Sequence, residues 1–108
     1  MEISTLSTDE YAYIMLSGSV NDGEIAKLEA AFRKVLEEKV KKVALALEYV
    51  PNICSSGLGL IMKYQRLLKD QHKTLEVHGV HDSLYALLLS IHFDKLVKIK
   101  KKATIPVV

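Results

Sequence analysis

Two adjacent serines and two glycines stand close together at Ser55, Ser56, Gly57 and Gly59, where an apolar strand pattern gives way to a helical pattern. The first turn of a helix offers unpaired backbone N–H groups and the positive end of the helix dipole. Hydroxyl groups at such a position can cap the helix, or they can carry or contact an anion such as phosphate. The sequence therefore predicts a regulatory helix start here, with simple helix capping as the alternative.

Cys54 precedes the two serines and is the one cysteine of the chain. A cysteine before a helix can act as a nucleophile or a redox sensor, but burial as a small apolar residue is the favoured interpretation. Because a lone cysteine cannot form an internal disulfide, we expect a reducing compartment and a cytoplasmic location.

The other residues capable of chemistry form no recognised catalytic or metal-binding pattern. The four histidines have spacings that fit no closed zinc site, so we predict no metal site and interpret them as surface or loop residues. The Gly-x-Ser-x-Gly elbow of hydrolases and the Gly-Lys-Ser/Thr step of phosphate loops are both missing. We therefore predict no catalytic residue, no cofactor and no enzymatic activity.

Length and charge limit the possible partners. A chain of 108 residues, 49% hydrophobic and 26% charged, is expected to fold as one domain spanning residues 1–108. A net charge of +2 is too small to argue for nucleic-acid binding. The longest apolar stretch, residues 84–91, is too short to span a bilayer, and the first residues do not resemble a secretory signal. We expect protein partners and no membrane insertion.

The first half of the chain predicts two strands, a helix and a third strand. Residues 2–6 and 11–16 are β-prone and are expected to form a hairpin. Asn21 followed by Glu24 resembles a capping box, which predicts a helix from there to about Lys39. The almost unbroken apolar run at residues 43–50 predicts a central strand that is covered on both faces.

The second half predicts two more helices and two short strands. An amphipathic helix with a wide apolar face is expected at about residues 55–69, and a strand at residues 74–77. Asp82 is expected to cap a third helix, whose predicted buried stripe consists of Leu84, Leu87, Leu88 and Ile91. The other face of this helix is barely polar, which indicates either a contact surface or deep burial.

Residues 96–99 are expected to form an edge strand, which neighbouring lysines protect from pairing with other chains. The basic tail at about residues 100–108 is expected to be flexible. The predicted order is therefore β-β-α-β-α-β-α-β. This order indicates an α/β fold with a mixed sheet of four to five strands and helices packed against it.

Residues 43–60 resemble the signature of the STAS domain, and specifically that of the bacterial anti-sigma-factor antagonists. The family pattern is an apolar strand, a short loop and then Asp-Ser-Ser-Gly-Leu-Gly, which here reads Cys54-Ser55-Ser56-Gly57-Leu58-Gly59. Residues 16–21 also resemble the family's loop before the first helix, and residues 92–96 its link into the last strand. The resemblance implies a single STAS-like domain.

The resemblance also implies a function. In this family a partner that is both anti-sigma factor and serine kinase phosphorylates the second serine of the motif. The implied acceptor here is Ser56, with Ser55 as the second choice. The unmodified antagonist binds that partner and frees the sigma factor, and a serine phosphatase is a further expected partner. The implied partner-binding residues are Gly18, Ser19, Asn21, Asp22, Cys54, Ser55, Ser56, Gly57, Leu58, Gly59 and Met62.

Two positions depart from the family pattern. Cys54 replaces the leading aspartate of the motif, and Ala46 replaces an aspartate often found in the preceding strand. The loss of both carboxylates gives modest support to the alternative function, which is a STAS scaffold or ligand-sensing subunit of a transporter or stress-signalling complex, without a phosphorylation switch.

Overall fold

The computed structural model describes residues 1–101, in which the strands and helices follow the order that the sequence predicts. Two short 3₁₀ turns, Asp22–Glu24 and Phe93–Lys95, precede the first helix and the last strand. The strands are β1 (Glu2–Ser7), β2 (Tyr11–Ser17), β3 (Lys42–Tyr49), β4 (Thr74–His78) and β5 (Lys98–Lys100), and the helices are α1 (Ile25–Leu36), α2 (Ser55–Asp70) and α3 (Asp82–Ser90).

The five strands form one mixed sheet in the order β1-β2-β3-β4-β5. The pair β1 and β2 is the antiparallel hairpin that the sequence predicts, whereas the three following pairs are parallel. The third strand is central, and its residues 43–47 are buried on both faces. The predicted α/β class, element order and position of β3 are therefore confirmed.

One face of the sheet carries the hydrophobic core. Ile14, Leu45 and Val77 lie side by side in the register of β2, β3 and β4, and all three belong to the core cluster formed with the helices. The rings of Phe32 in α1 and Tyr64 in α2 stack with centroids 4.8 Å apart. Burial of this apolar surface is the main stabilising contribution to the fold.

The opposite face of the sheet carries a polar network centred on Glu76, which is almost fully buried in β4. Its Oε1 accepts hydrogen bonds from the Tyr11 hydroxyl (3.0 Å) and from Nε2–H of His78 (2.9 Å), and lies 3.4 Å from Lys100 Nζ. Burial by itself raises the pKa of Glu76, but these hydrogen bonds and the lysine charge outweigh it, so the pKa lies below its ordinary value. The buried carboxylate is thus held in its charged form.

Several local details differ from the sequence prediction. The predicted capping box is wrong, because Asn21 makes no side-chain cap and the residues after it form a 3₁₀ turn before α1. Helix α3 is capped by His81, and Asp82 is its first helical residue. His78 was expected in a loop but is fully buried at the end of β4.

The predicted buried stripe of α3 is half correct. Leu84 and Leu88 are buried, whereas Leu87 and Ile91 remain about two-fifths exposed because only the side of the helix that carries Leu84 and Leu88 joins the core cluster. The barely polar helix surface is therefore solvent-accessible rather than deeply buried.

The last strand begins at Lys98, two residues later than predicted, because Phe93–Lys95 forms a 3₁₀ turn. Apart from Lys100 and Lys101, the expected flexible tail lies outside the described residues.

Gly57 in the first turn of α2 allows close packing of this helix on the segments that precede α1 and α2. A Cβ atom at this position would lie 2.8 Å from Cγ2 of Ile53 and 3.0 Å from Cγ1 of Val20, both of which are buried. The corresponding atom at Gly59 would meet nothing within 4 Å. The two glycines of the motif therefore have different roles.

The Gly57→Ala substitution is expected to lower the free energy of unfolding by about 1–3 kcal/mol, because the added methyl overpacks a closed contact. The matched control, Gly59→Ala, should raise it by about 0.5–1 kcal/mol, since alanine favours the helix and has open space. Urea titration of both variants measures the difference. Equal effects of the two substitutions would contradict the packing role of Gly57.

The Glu76→Gln substitution is expected to cost about 1–3 kcal/mol of stability at pH 7, because it removes a buried, hydrogen-bonded charge. The pKa of Glu76 is lower in the folded state than its ordinary value of 4.5, so the ionised carboxylate stabilises the protein at pH values above 4.5. This stabilisation is lost as the pH falls through the pKa of the folded state. In urea titrations from pH 7 to pH 3, the free energy of unfolding of this variant should therefore fall less than that of the wild-type protein. The exposed Glu48→Gln is the control, and the same loss in both variants would contradict the role of Glu76.

Candidate functional site

Two loops pair side by side at the carboxyl ends of β2 and β3. The N–H of Gly18 donates to the carbonyl of Tyr49 (2.9 Å), and the N–H of Val20 donates to the carbonyl of Asn52 (3.0 Å). The N–H of Cys54 in turn donates to the carbonyl of Val20 (2.9 Å). The parallel pairing of the two strands is thus continued by the loops, and it fixes the start of α2 beside the loop that precedes α1.

Cys54 is the N-cap of α2. Its backbone is extended, with φ −70° and ψ 165°, and its Sγ accepts a hydrogen bond from the N–H of Gly57 at 3.4 Å. Ser55 and Ser56 are therefore the first two residues of the helix and not its caps. The simple capping alternative for the serines is wrong, because the half-buried cysteine fills that position.

The two serine side chains are exposed. Across residues 1–101, neither hydroxyl has a hydrogen-bond partner, and the N–H groups of Ser55 and Ser56 have no acceptor. Two free donors and the positive end of a 16-residue helix thus surround two free hydroxyl groups. The arrangement suits a phosphate, either bound or attached to one of the serines.

The predicted binding residues fall into two groups. Asn21, Asp22, Ser55, Ser56 and Gly59 are exposed, and Gly18, Ser19, Cys54, Leu58 and Met62 are half-buried. Gly57 is buried, so its lack of a side chain serves internal packing rather than contact with another molecule. Gly18 has φ 97°, a left-handed conformation that favours glycine and lets the chain turn between β2 and the 3₁₀ segment.

His81 connects α3 to the loop that leads into α2, which the sequence did not predict. Its Nδ1 accepts from the N–H of Leu84 at 3.3 Å, so Nε2 carries the proton and donates to the carbonyl of Pro51 at 3.0 Å. One imidazole thereby caps α3 and ties it to the loop that leads into α2. The only signal in the sequence was a histidine directly before a helical pattern.

Within residues 1–101, no group of three or more histidine, cysteine, aspartate or glutamate side chains is arranged to hold a metal ion. No helix in this part of the chain is both long enough and apolar enough to cross a membrane.

Comparisons with solved structures show the same fold in proteins of several kinds. An anti-sigma factor antagonist from Mycobacterium paratuberculosis superimposes with a TM-score of 0.79 at 19% identity, covering 92% of this chain and 86% of the other. The Bacillus cell fate determinant SpoIIAA in its phosphorylated form gives 0.71 at 15% identity, with coverages of 91% and 90%. A sulfate transporter family protein from Wolinella succinogenes gives 0.74 at 22% identity, with coverages of 85% and 77%.

No curated protein matches this chain significantly at the level of sequence. A family profile described as "Mlab, STAS domain" matches residues 3–98, from the start of β1 to the start of β5. This match contains both paired loops and the Ser-Ser-Gly-Leu-Gly motif. The chain belongs to the STAS domain family.

Proposed function

We propose that this protein is an anti-sigma-factor antagonist of a partner-switching pathway. In its unmodified form it binds an anti-sigma factor that is also a serine kinase, and so releases the sigma factor. Phosphorylation of Ser56 ends this binding, and a serine phosphatase restores it. Anti-sigma factor antagonists among the solved structures that share the fold, one of them in a phosphorylated form, support the proposal.

The observation that carries the proposal is the state of the Ser56 side chain. It is exposed and makes no hydrogen bond within the described residues. It does not cap the helix, because Cys54 is the N-cap. A hydroxyl in the first turn of a helix that serves no structural purpose is available to a kinase. Ser55 is also exposed, but the resemblance assigns the modification to the second serine of the motif.

The expected switch acts at the surface and leaves the fold intact. A phosphate adds about −1.5 to −2 charge and three acceptor oxygens, which the free N–H groups and the helix dipole can accommodate without refolding. A partner surface fitted to a neutral hydroxyl would then face a bulky dianion that must lose its water on binding. Partner binding should therefore be lost while the domain remains folded.

The proposed partner-binding face combines the exposed residues of the two paired loops and the start of α2. Asn21 and Asp22 contribute from the loop before α1, and Ser55, Ser56 and Gly59 contribute from the helix. Since backbone hydrogen bonds join the two loops, a partner would meet one continuous and rigid surface.

A second candidate function is a STAS scaffold within a transporter or stress-signalling complex. Cys54 and Ala46 stand where the resemblance leads us to expect carboxylates, and a sulfate transporter family protein shares the fold. Neighbouring genes discriminate between the two functions. A serine kinase and a sigma factor favour the antagonist, and transporter subunits favour the scaffold.

Two substitutions at Ser56 test the antagonist function. Ser56→Asp is expected to weaken binding to the cognate kinase at least about tenfold, because a fixed negative charge takes the place of the neutral hydroxyl. Ser56→Ala should bind like the unmodified protein but should resist phosphorylation. Isothermal titration calorimetry with the kinases encoded in the source genome, followed by incubation with ATP, measures both effects.

Ser55→Ala is the matched control, since it removes the neighbouring exposed hydroxyl from the same helix turn. This variant should bind and still be phosphorylated. The switch is refuted if Ser56→Asp binds the kinase as tightly as the wild-type protein does.

A further inference from the structure

We infer that the partner inserts a cationic side chain, arginine or lysine, into a pocket beside Tyr49. This inference deepens the proposed function, because it extends the proposed partner-binding face from the serine helix to the ends of the strands. It rests on an exposed aromatic ring, an adjoining cavity and the charge at the rim of that cavity.

Tyr49 is the most exposed large hydrophobic side chain of the described residues, with 68% of its surface accessible. A single exposed apolar residue is common and carries no meaning by itself. Tyr49, however, ends β3 opposite Ser17, and its carbonyl accepts the N–H of Gly18. The ring therefore belongs to the same edge of the molecule as the paired loops of the candidate site.

A pocket of about 200 Å³ adjoins this ring. Met15 and Tyr49 offer apolar side-chain surface to it, whereas Ile3 and Leu16 pack toward the core on the other face of the sheet. The polar lining residues are Glu2, Ser4 and Ser17. A cavity of this size admits one long side chain rather than a cofactor or a drug-sized ligand, for which pockets of about 300–1,000 Å³ are typical.

The lining selects a side chain that has an aliphatic stem and a positively charged end. The methylene groups of lysine or arginine suit the apolar surface, and their charged end can lie over the face of the Tyr49 ring. Glu2 is exposed and forms no ion pair within residues 1–101, so its carboxylate is available to pair with that charge.

Other occupants fit less well. An aliphatic side chain would cover the Glu2 carboxylate without offering it a partner, which costs free energy. An acidic side chain would be repelled by the same carboxylate.

Tyr49 also has the character of an interface hot spot. Tyrosine and arginine are enriched among the residues that dominate binding energy, and hot spots on one partner tend to pair with hot spots on the other. A backbone hydrogen bond joins Gly18 to Tyr49, so the exposed Tyr49 adjoins the paired loops that the partner is proposed to contact. The pocket is therefore expected to anchor the partner while Ser56 controls its release.

The first experiment uses a defined probe and does not need the partner. N-acetyl-arginine amide is titrated into the labelled protein while the Tyr49 ring and the Met15 methyl are followed by NMR. We expect saturable shifts of both groups, and their loss in Tyr49→Ala and Glu2→Gln. N-acetyl-norleucine amide is the matched control with no charge. No shifts with the arginine probe, or equal shifts with norleucine, would overturn the inference.

The second experiment measures kinase binding by the variants. Tyr49→Ala should weaken binding at least about tenfold, whereas Tyr49→Phe, which keeps the ring, should stay within about threefold of wild type. Glu2→Gln should weaken binding less and reduce its dependence on salt. Since Tyr49 and Glu2 are exposed, these variants are expected to fold, which thermal unfolding checks.

The two proposals fail separately. If the wild-type protein binds a kinase and Tyr49→Ala binds it equally well, the pocket inference is overturned and the antagonist function stands. If no kinase binds the wild-type protein, the antagonist function fails, and the arginine titration still decides whether the pocket takes a cation. A dimer in sedimentation analysis that Tyr49→Ala abolishes would assign the pocket to a second copy and overturn the inference.

Discussion

The backbone pairing of Val20 with the segment from Asn52 to Cys54 is the interaction on which the rest of the site depends. The N–H of Val20 donates to the carbonyl of Asn52, and the carbonyl of Val20 accepts from the N–H of Cys54. This buried valine therefore joins the loop before α1 to the loop before α2. Gly57 then lets the first turn of α2 lie directly on this pair. The position of Ser56 relative to the neighbouring loop is thereby set by main-chain hydrogen bonds and close packing.

This arrangement separates stability from recognition. Val20, Ile53 and Gly57 face inward and hold the helix start in place, while the serines face solvent. Cys54 lies between the two groups, since its thiol caps the helix and is half-buried. A charge added to an exposed serine can therefore alter the surface without disturbing the packing beneath it. A rigid site of this kind suits a partner that discriminates by charge and shape.

Much of the fold could be predicted because its signals are local. The apolar run of β3 and the apolar periodicity of α2 identify buried elements directly, and both appear at the predicted positions. The family motif located the candidate site, in which Ser56 is exposed, and its modification stays a prediction. The hairpin of β1 and β2 also followed from short β-prone runs separated by a polar turn.

The remaining features depend on contacts between distant segments, which the sequence does not reveal. His81 could not be recognised as a cap and a tie to Pro51, because its partner lies 30 positions away. His78 was expected at the surface or in a loop, and the burial of Glu76 was not predicted, because Tyr11 from β2 and Lys100 from β5 complete their network. The Tyr49 pocket likewise forms only when β1, β2 and β3 come together.

Mapping the modified residue tests this account most directly. The protein is incubated with candidate serine kinases and ATP, the intact mass is measured, and any phosphoryl group is located by peptide mapping. We expect a single phosphoryl group on Ser56, with the far-ultraviolet circular dichroism spectrum unchanged. A phosphoryl group on another residue, or none with the kinase that binds the protein, would contradict the assignment of Ser56 as the regulated hydroxyl.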